Sequence, residues 1–285
     1  MPARAFLIGV LAAVAAAQDL PVTGLAGVGV MTADLEQARQ FYTGALGFSE
    51  AFSLKNERGQ VVSAFFKVND DQYIQVTAGP YADIRMAYVS LLTTDIQALR
   101  QALLRRGVIP APTTQNPDGS RMIFLKDPDG ARIEFVERPA GSQEARARGK
   151  YMTPRSVSRR LWHVGMVSGD FARSSAFYTG KLGFKEFWRD TSANADARWM
   201  QFLLPGQRGD VLELTLLGGN ESYGSMQHIC LVVPDVRAAI RKLADNGLPA
   251  ADQLRPSFWR NGRRVLNLTD PGGTRIELME PRPPR

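Results

Sequence analysis

The sequence has very little cysteine, since Cys230 is the only one among 285 residues. A single thiol excludes an intrachain disulfide, so the fold must be held by its apolar core rather than by covalent cross-links. With 44% hydrophobic residues, the chain is long enough to bury one large core or two small ones. The composition is therefore that of a folded protein rather than of a disordered one.

The chain also has no basic stripe interleaved with aromatic residues, although its formal net charge is +7. Residues 138–160 contain seven basic residues and a single acidic one, Glu144, so most of the excess charge lies in this segment. The rest is close to neutral, which argues against nucleic acid as a partner. We interpret residues 139–159 as a solvated basic linker, with an anionic surface contact as the alternative.

The apolar run from Phe6 to Val14 is too short to span a bilayer as a stable anchor. It follows Arg4 and precedes three alanines, which is the layout of a secretory signal peptide. We predict a signal peptide at residues 1–17, cleaved after Ala17, and a secreted or periplasmic protein with no stable membrane span. A buried N-terminal helix is the alternative interpretation.

What the sequence does contain is a long internal repeat. FYTGALGF (41–48) returns as FYTGKLGF (177–184), and DPDGARIEFVE (127–137) returns as DPGGTRIELME (270–280). The matches predict two homologous domains, at residues 20–138 and 160–282, each of an ordinary domain size.

Within each half a fainter repeat predicts a strand, a helix and three strands, twice over. Four aspartates that follow strand patterns are expected to cap the helices after them: Asp34, Asp95, Asp170 and Asp235. The first helix of each half contains the repeated phrase, and we expect Phe41 and Phe177 on its buried stripe. The phrase is then predicted to supply the core residues of a helix and the glycines that end it. Its repetition indicates duplication of a domain rather than a catalytic role.

Alternation along the strands of the second half predicts a cluster of polar side chains. In WHVGMV, for example, Trp162, Val164 and Met166 share the face that helices cover, which leaves His163 opposite. The same reasoning on three more strands gives the predicted set: His163, Glu213, His228 and Glu277. Buried carboxylates are unfavourable unless they are paired or coordinated, and the chain's only two histidines belong to the set. These residues therefore predict a metal site.

FYTGxLGF early and DPxGxxIE late in each half resemble the vicinal oxygen chelate superfamily, which includes glyoxalase I, extradiol dioxygenases and bleomycin resistance proteins. The resemblance implies an α+β fold of two tandem domains, each built from paired βαβββ modules that form a curved mixed sheet around a cup. It also implies that His163, Glu213, His228 and Glu277 bind one divalent ion, with Zn, Ni, Mn, Co and Fe all open.

The first half lacks these ligands. Its aligned residues are Gly27, Gln75, Tyr88 and Glu134. Glycine offers no ligand, and tyrosine with glutamine replaces imidazole and carboxylate poorly. We therefore expect a degenerate metal site in the first domain.

The resemblance implies a glyoxalase-like lyase or isomerase that acts on a small oxygen-chelating carbonyl compound, with Glu213 or Glu277 as the catalytic base. One alternative is an extradiol dioxygenase that holds Fe(II) through His163, His228 and Glu277. Another is a non-catalytic binding protein of the bleomycin-resistance type. The expected partner is a small-molecule substrate, and the chain is expected to be a monomer or homodimer.

A concentration of aromatic and basic residues in the second half could bind the substrate. The predicted set is Trp188, Trp199, Phe258, Trp259, Arg260 and Arg263. The alternative is that these side chains belong to the core or the rim of the domain.

Overall fold

A computed structural model of the chain describes residues 19–79, 85–190, 198–218, 223–259 and 262–281. The predicted signal peptide, residues 1–17, lies outside the described residues. Within the described part, no helix is both long enough and apolar enough to cross a membrane.

The first half forms a mixed sheet of eight strands that curls into a half-barrel. Its strands are β1 (Val22–Thr32), β2 (Ser49–Lys55), β3 (Val61–Lys67), β4 (Tyr73–Ala78), β5 (Met86–Thr93), β6 (Thr114–Gln115), β7 (Arg121–Lys126) and β8 (Arg132–Glu137). Their order across the sheet is β2-β3-β4-β1-β5-β8-β7-β6. Helices α1 (Leu35–Arg39) and α2 (Ile96–Arg105) follow β1 and β5, and α3 (Gln143–Arg146) follows β8.

The second half repeats this arrangement. Its strands are β9 (Leu161–Ser168), β10 (Lys185–Arg189), β11 (Trp199–Leu203), β12 (Val211–Leu216), β13 (His228–Val232), β14 (Ser257–Phe258), β15 (Arg264–Thr269) and β16 (Arg275–Met279). Its helices are α4 (Phe171–Ser175), α5 (Tyr223–Met226) and α6 (Val236–Asp245), and a 3-10 turn spans Ala251–Gln253. The strand order is β10-β11-β12-β9-β13-β16-β15-β14. The predicted α+β fold of two tandem domains with paired βαβββ modules is confirmed.

The predicted aspartate caps are present at four helices. In each case the side chain accepts a hydrogen bond from a backbone amide of the first turn, which has no partner within the helix. The capping residues are Asp34, Asp95, Asp170 and Asp235. Helices α2 and α6 end just before Gly107 and Gly247, whose φ angles of +70° and +89° suit glycine best.

The repeated phrase forms a π-helical turn rather than the predicted continuation of the α-helix. After α1 and α4 the chain continues as π-helical turns, Gln40–Ala45 and Ala176–Lys181. A π-helix bonds residues five apart rather than four, so side chains beyond its start rotate relative to an α-helical stripe. Tyr42 and Tyr178 are consequently the fully buried residues, and the expected core residues Phe41 and Phe177 are only half-buried.

These two tyrosines dock the halves on each other. Tyr42 Oη donates to Asp270 Oδ2 at 2.9 Å, and Tyr178 Oη donates to Asp127 Oδ2 at 2.8 Å. Each bond joins the FYTG turn of one half to the DPxG turn of the other. A single apolar cluster also runs through both halves. The repeated phrases therefore hold the duplicated domains together.

The segment expected to be a solvated linker is partly packed against the first half. Arg138 makes a two-pronged ion pair with Glu144 at 2.5 and 3.0 Å, and both side chains are largely buried. Buried Lys67 donates to the carbonyl oxygens of Ala147 and Lys150 at 2.5 and 2.8 Å. Composition could not predict this packing, because the exposed basic residues of the segment dominate its charge while other residues of the same segment contact the first half.

We predict that Tyr178→Phe lowers the free energy of unfolding by about 1–3 kcal/mol, because it leaves the buried Asp127 carboxylate without its phenolic donor. Tyr42→Phe should act similarly on Asp270. Urea denaturation followed by circular dichroism measures both, with Tyr151→Phe as a matched control at a side chain that is 48% exposed. Losses no larger than that of the control would contradict the docking role.

Candidate metal centre

Four neighbouring strands of the second sheet bring the predicted polar residues to one place. Strand β9 lies between β12 and β13, and Gly165 on β9 is the register partner of both Glu213 and His228. Cys230 on β13 likewise pairs with His163 and with Glu277 on β16. The side chains project from the same face, as the alternation along the strands predicts.

The four side chains meet in a buried cluster. The Nε2 atoms of His163 and His228 lie 3.0 Å apart, and Glu277 Oε2 lies 3.7 Å from each of them. Glu213 Oε1 lies 3.4 Å from His228 Nε2. None of the four residues is more than 5% exposed. Ligand atoms of His163, Glu213 and His228 lie within 4.8 Å of one another, and so do those of His163, Cys230 and Glu277, so the residues form two overlapping buried groups that share His163.

The bare backbone of Gly165 makes this approach possible. A Cβ atom at this position would overlap the ring of His228, because the imidazole lies directly over the Gly165 Cα. Glycine in a strand interior often marks such a close approach. The same relation recurs in the first half, where a Cβ on Gly29 would overlap the ring of Tyr88.

Burial and neighbouring charges shift the pKa values of the two histidines in opposite directions. Burial lowers the pKa of His163 to about 3, so its imidazole stays neutral. Burial also lowers the pKa of His228, but the Glu277 and Glu213 carboxylates outweigh it and raise that pKa above its ordinary value. Burial opposes ionisation of Glu213, yet its hydrogen bond with His228, the charge of His228 and the hydrogen bond from Gln201 hold its pKa at about 2. A proton on His228 thus offsets part of the negative charge beside it, and a bound cation would replace that proton.

The outer nitrogens of the two rings differ in their surroundings. His228 Nδ1 lies 3.1 Å from the carbonyl oxygen of Met226 and 2.6 Å from Arg275 Nη2. These contacts require opposite tautomers, and donation to Met226 is the one that leaves Nε2 free to bind a metal. His163 Nδ1 is buried and has no hydrogen-bond partner among the described residues.

This donor set fits a divalent transition metal. Two nitrogens that occupy neighbouring positions at about 2.1 Å from one ion lie about 3 Å apart, which is the separation of the two Nε2 atoms. Imidazole and carboxylate together suit Zn, Fe, Ni, Co and Mn. The described residues contain no second group of this kind outside the cluster around His163, which also includes Cys230.

Two residues that the sequence analysis did not select complete the surroundings. Gln201 Nε2 donates to Glu213 Oε2 at 2.6 Å from the adjacent strand β11. Arg275 Nη2 lies 3.5 Å from Glu277 Oε1, besides its approach to His228. Alternation was the available signal for both, since it puts Gln201 opposite Met200 and Phe202, and Arg275 on the same face as Glu277.

The predicted substrate-binding residues are only partly assembled. The rings of Trp188 and Trp259 lie 5.1 Å apart and join the two edges of the curled sheet. Trp188 is also the register partner of Gln201, next to the cluster. Trp199 shares the strand face of Gln201 and pairs with Thr215. Phe258 is instead 68% exposed beside the Arg264 guanidinium, and Arg260 lies outside the described residues.

Trp162 is placed differently from the prediction. It is the extra residue of a β-bulge, since His163 pairs with Cys230 while Leu161 pairs with Leu231. The bulge turns the indole away from the helix-covered face, where Val164 and Met166 do lie, and toward Cys230. The Arg263 guanidinium lies 4.2 Å above the Trp162 ring, so Arg263 belongs to this cup-side group.

The register confirms which residues of the first half are equivalent to the cluster. Gly29 pairs with Gln75 and Tyr88, as Gly165 pairs with Glu213 and His228, and Glu134 lies opposite Ser90 as Glu277 lies opposite Cys230. The Tyr88 hydroxyl donates to Gln75, and Arg132 Nε donates to Glu134 at 2.7 Å. The first half therefore keeps the scaffold, and the residues aligned with the cluster pair with each other or with Arg132.

Comparison with known proteins gives matches at the level of sequence and of fold. The sequence profile of the Glyoxalase/Bleomycin resistance protein/Dioxygenase superfamily matches residues 24–135 and 160–278. Lactoylglutathione lyase from Salmonella typhimurium is 33% identical over 128 residues, which span 42% of this chain and 92% of that protein. Lactoylglutathione lyase from Escherichia coli O157:H7 is 32% identical over the same spans.

Solved structures match across both halves. The 2,3-dioxygenase LapB from Pseudomonas sp. KL28 superposes with a TM-score of 0.68 at 15% identity, covering 93% of this chain and 95% of that chain. An extradiol ring-cleaving dioxygenase from B. fuscum gives a TM-score of 0.69 at 17% identity, covering 94% and 74%. At such identities the superpositions establish the tandem fold alone.

We predict that Gly165→Ala lowers metal affinity at least about tenfold although it removes no donor, because the new methyl group displaces His228. Gly29→Ala is the matched control, since it displaces Tyr88 in the first half. Elemental analysis should find one ion per chain in the wild type and in Gly29→Ala, and little in Gly165→Ala. Equal metal content in both variants would contradict the assignment.

Proposed function

Because the chain belongs to the glyoxalase/bleomycin resistance protein/dioxygenase superfamily, we propose that its second half is a divalent-metal-dependent, glyoxalase-like lyase or isomerase. The substrate would be a small carbonyl compound with two adjacent oxygens. The observation that carries the proposal is the buried cluster of two imidazoles and two carboxylates, with no further histidine in the chain. The similarity to two lactoylglutathione lyases supports the same class of reaction.

His163, Glu213, His228 and Glu277 would hold the metal. When bound, a divalent ion supplies a Lewis acid that polarises substrate oxygens and stabilises negative charge on them. The remaining work falls to the protein: it must orient the substrate, exclude water and move a proton between carbon atoms. The contact between Trp188 and Trp259 at the sheet edges helps to shield the cup from solvent.

Glu277 is the better candidate for the base that moves the proton. Glu213 is fixed at both oxygens, by Gln201 at 2.6 Å and by His228 at 3.4 Å. The contacts of Glu277 are longer, 3.7 Å to each histidine and 3.5 Å to Arg275. A carboxylate with looser contacts can more readily accept a proton from an adjacent carbon and return it to its neighbour. The Arg275 guanidinium would keep that carboxylate oriented.

A second candidate is an extradiol dioxygenase, which the superposition on LapB over both halves favours. His163, His228 and Glu277 would provide the two histidines and one carboxylate of a non-haem Fe(II) site. Two features weigh against it. Glu213 adds a carboxylate to the cluster, and neither histidine is left over for proton transfer to dioxygen. Asn267 is the register partner of Glu277 where the resemblance leads us to expect tyrosine.

We predict that Glu277→Gln lowers kcat about 100-fold or more while the bound metal is retained, because an amide cannot act as a base. The assay follows product formation and deuterium incorporation from D₂O by NMR, with dihydroxyacetone and with methylglyoxal plus glutathione. Glu134→Gln is the matched variant in the first half and should leave kcat unchanged.

Three outcomes would count against parts of this account. Loss of exchange in Glu213→Gln with metal retained, but not in Glu277→Gln, would exchange the roles of the two carboxylates. Oxygen consumption with catechols and Fe(II), without carbonyl turnover, would favour the dioxygenase. Ligand binding that survives His228→Ala in a metal-free protein without turnover would favour a binding protein.

A further inference from the structure

The first half contains a cavity of about 230 Å³ at the place that corresponds to the metal cluster of the second half. We call it the amino-terminal cup, and its lining includes Phe65, Tyr73, Tyr88, Asp118, Arg132 and Glu134. Its volume is below the usual range for drug-sized ligands, so it suits a small molecule. The cup offers no imidazole, and the Tyr88 hydroxyl is engaged with Gln75, so metal binding does not explain it.

The charges of the cup do not balance. Arg138 is paired with Glu144 through two hydrogen bonds, and Arg132 is paired with Glu134 at 2.7 Å. Asp118 is only 5% exposed and accepts the Ser120 amide at 2.6 Å, but no cationic side chain of the described residues lies within ion-pair distance of it. A buried carboxylate without a counter-ion is unfavourable. The cup therefore presents one negative charge that a ligand could neutralise.

Three aromatic side chains also belong to the lining of the cup. Phe65 is held by stacking on Phe52 at 4.3 Å, and Tyr73 and Tyr88 complete the aromatic lining. The faces of aromatic rings attract cations through the negative charge of the π-system. Tyr73 already shows this preference, since the Arg138 guanidinium lies 5.2 Å from its ring centre.

We propose that the amino-terminal cup binds a small organic cation with an aromatic or apolar body, as a ligand site separate from the metal centre. The ammonium group would lie against Asp118, and the body would pack among the aromatic side chains of Phe65, Tyr73 and Tyr88. This site does not depend on the function proposed for the second half.

Isothermal titration calorimetry with phenethylamine tests the proposal on the full chain after metal removal. Phenethylamine should bind once per chain. Its neutral and anionic counterparts, 2-phenylethanol and 3-phenylpropanoate, should bind at least about tenfold more weakly. Asp118→Asn should weaken binding of phenethylamine about tenfold, and Phe65→Leu severalfold, because the second variant removes an aromatic side chain from the lining. His228→Ala should leave its affinity within about twofold, which separates this site from the metal centre.

Fluorescence locates the bound probe independently. All four tryptophans belong to the second half, so phenethylamine in the amino-terminal cup should leave their emission unchanged. The proposal is overturned if the wild type shows no saturable binding at millimolar phenethylamine, or if the anion binds equally well. Unchanged affinity in folded Asp118→Asn would overturn it as well. If Asp118→Asn does not fold, unchanged affinity in Phe65→Leu would overturn the proposal instead.

Discussion

The close approach of two imidazoles over a glycine is the contact on which the chemistry of this protein depends. His163 and His228 project from neighbouring antiparallel strands, and they can meet because Gly165 puts no side chain between them. Their Nε2 atoms then lie 3.0 Å apart, and carboxylate oxygens of Glu213 and Glu277 lie 3.4 and 3.7 Å from His228 Nε2. Burying two carboxylates beside two imidazoles is unfavourable unless a cation offsets their negative charge. Such a cluster is better explained by a ligand than by packing.

Both halves share the scaffold that positions this contact, but only the second half contains the two histidines. The two halves share strand order, register and capping, and each buries the tyrosine of its repeated phrase against the DPxG aspartate of the other. The glycine under the ring is also kept in both, at Gly29 and Gly165. The side chains that line the two cups differ. The second cup contains His228 with the rest of the metal-type cluster, whereas the first contains Tyr88 and the Asp118 carboxylate, which is unpaired among the described residues.

Much of this could be predicted from the sequence, because the relevant signals are local. Helix caps depend on one aspartate, and strand alternation alone places His163, Glu213, His228 and Glu277 on a common face. Features that depend on an inserted residue could not be predicted in this way. The bulge at Trp162 and the π-helical turn at Tyr42 each shift the side-chain pattern by one position.

The specific partners of several polar side chains could not be predicted from the sequence. Alternation puts Gln201 and Arg275 on the face of the cluster, but their contacts with Glu213 and His228 depend on which strands lie side by side. The burial of Glu144 depends on the segment after Arg138 packing back against the first half.

Anomalous diffraction from crystals of the metal-loaded protein, recorded at the absorption edge of the bound element, tests the central claim most directly. The account predicts one anomalous peak per chain, within bonding distance of the Nε2 atoms of His163 and His228 and of the Glu213 and Glu277 carboxylates. A peak elsewhere, or crystals in which these four side chains point away from one another, would contradict it.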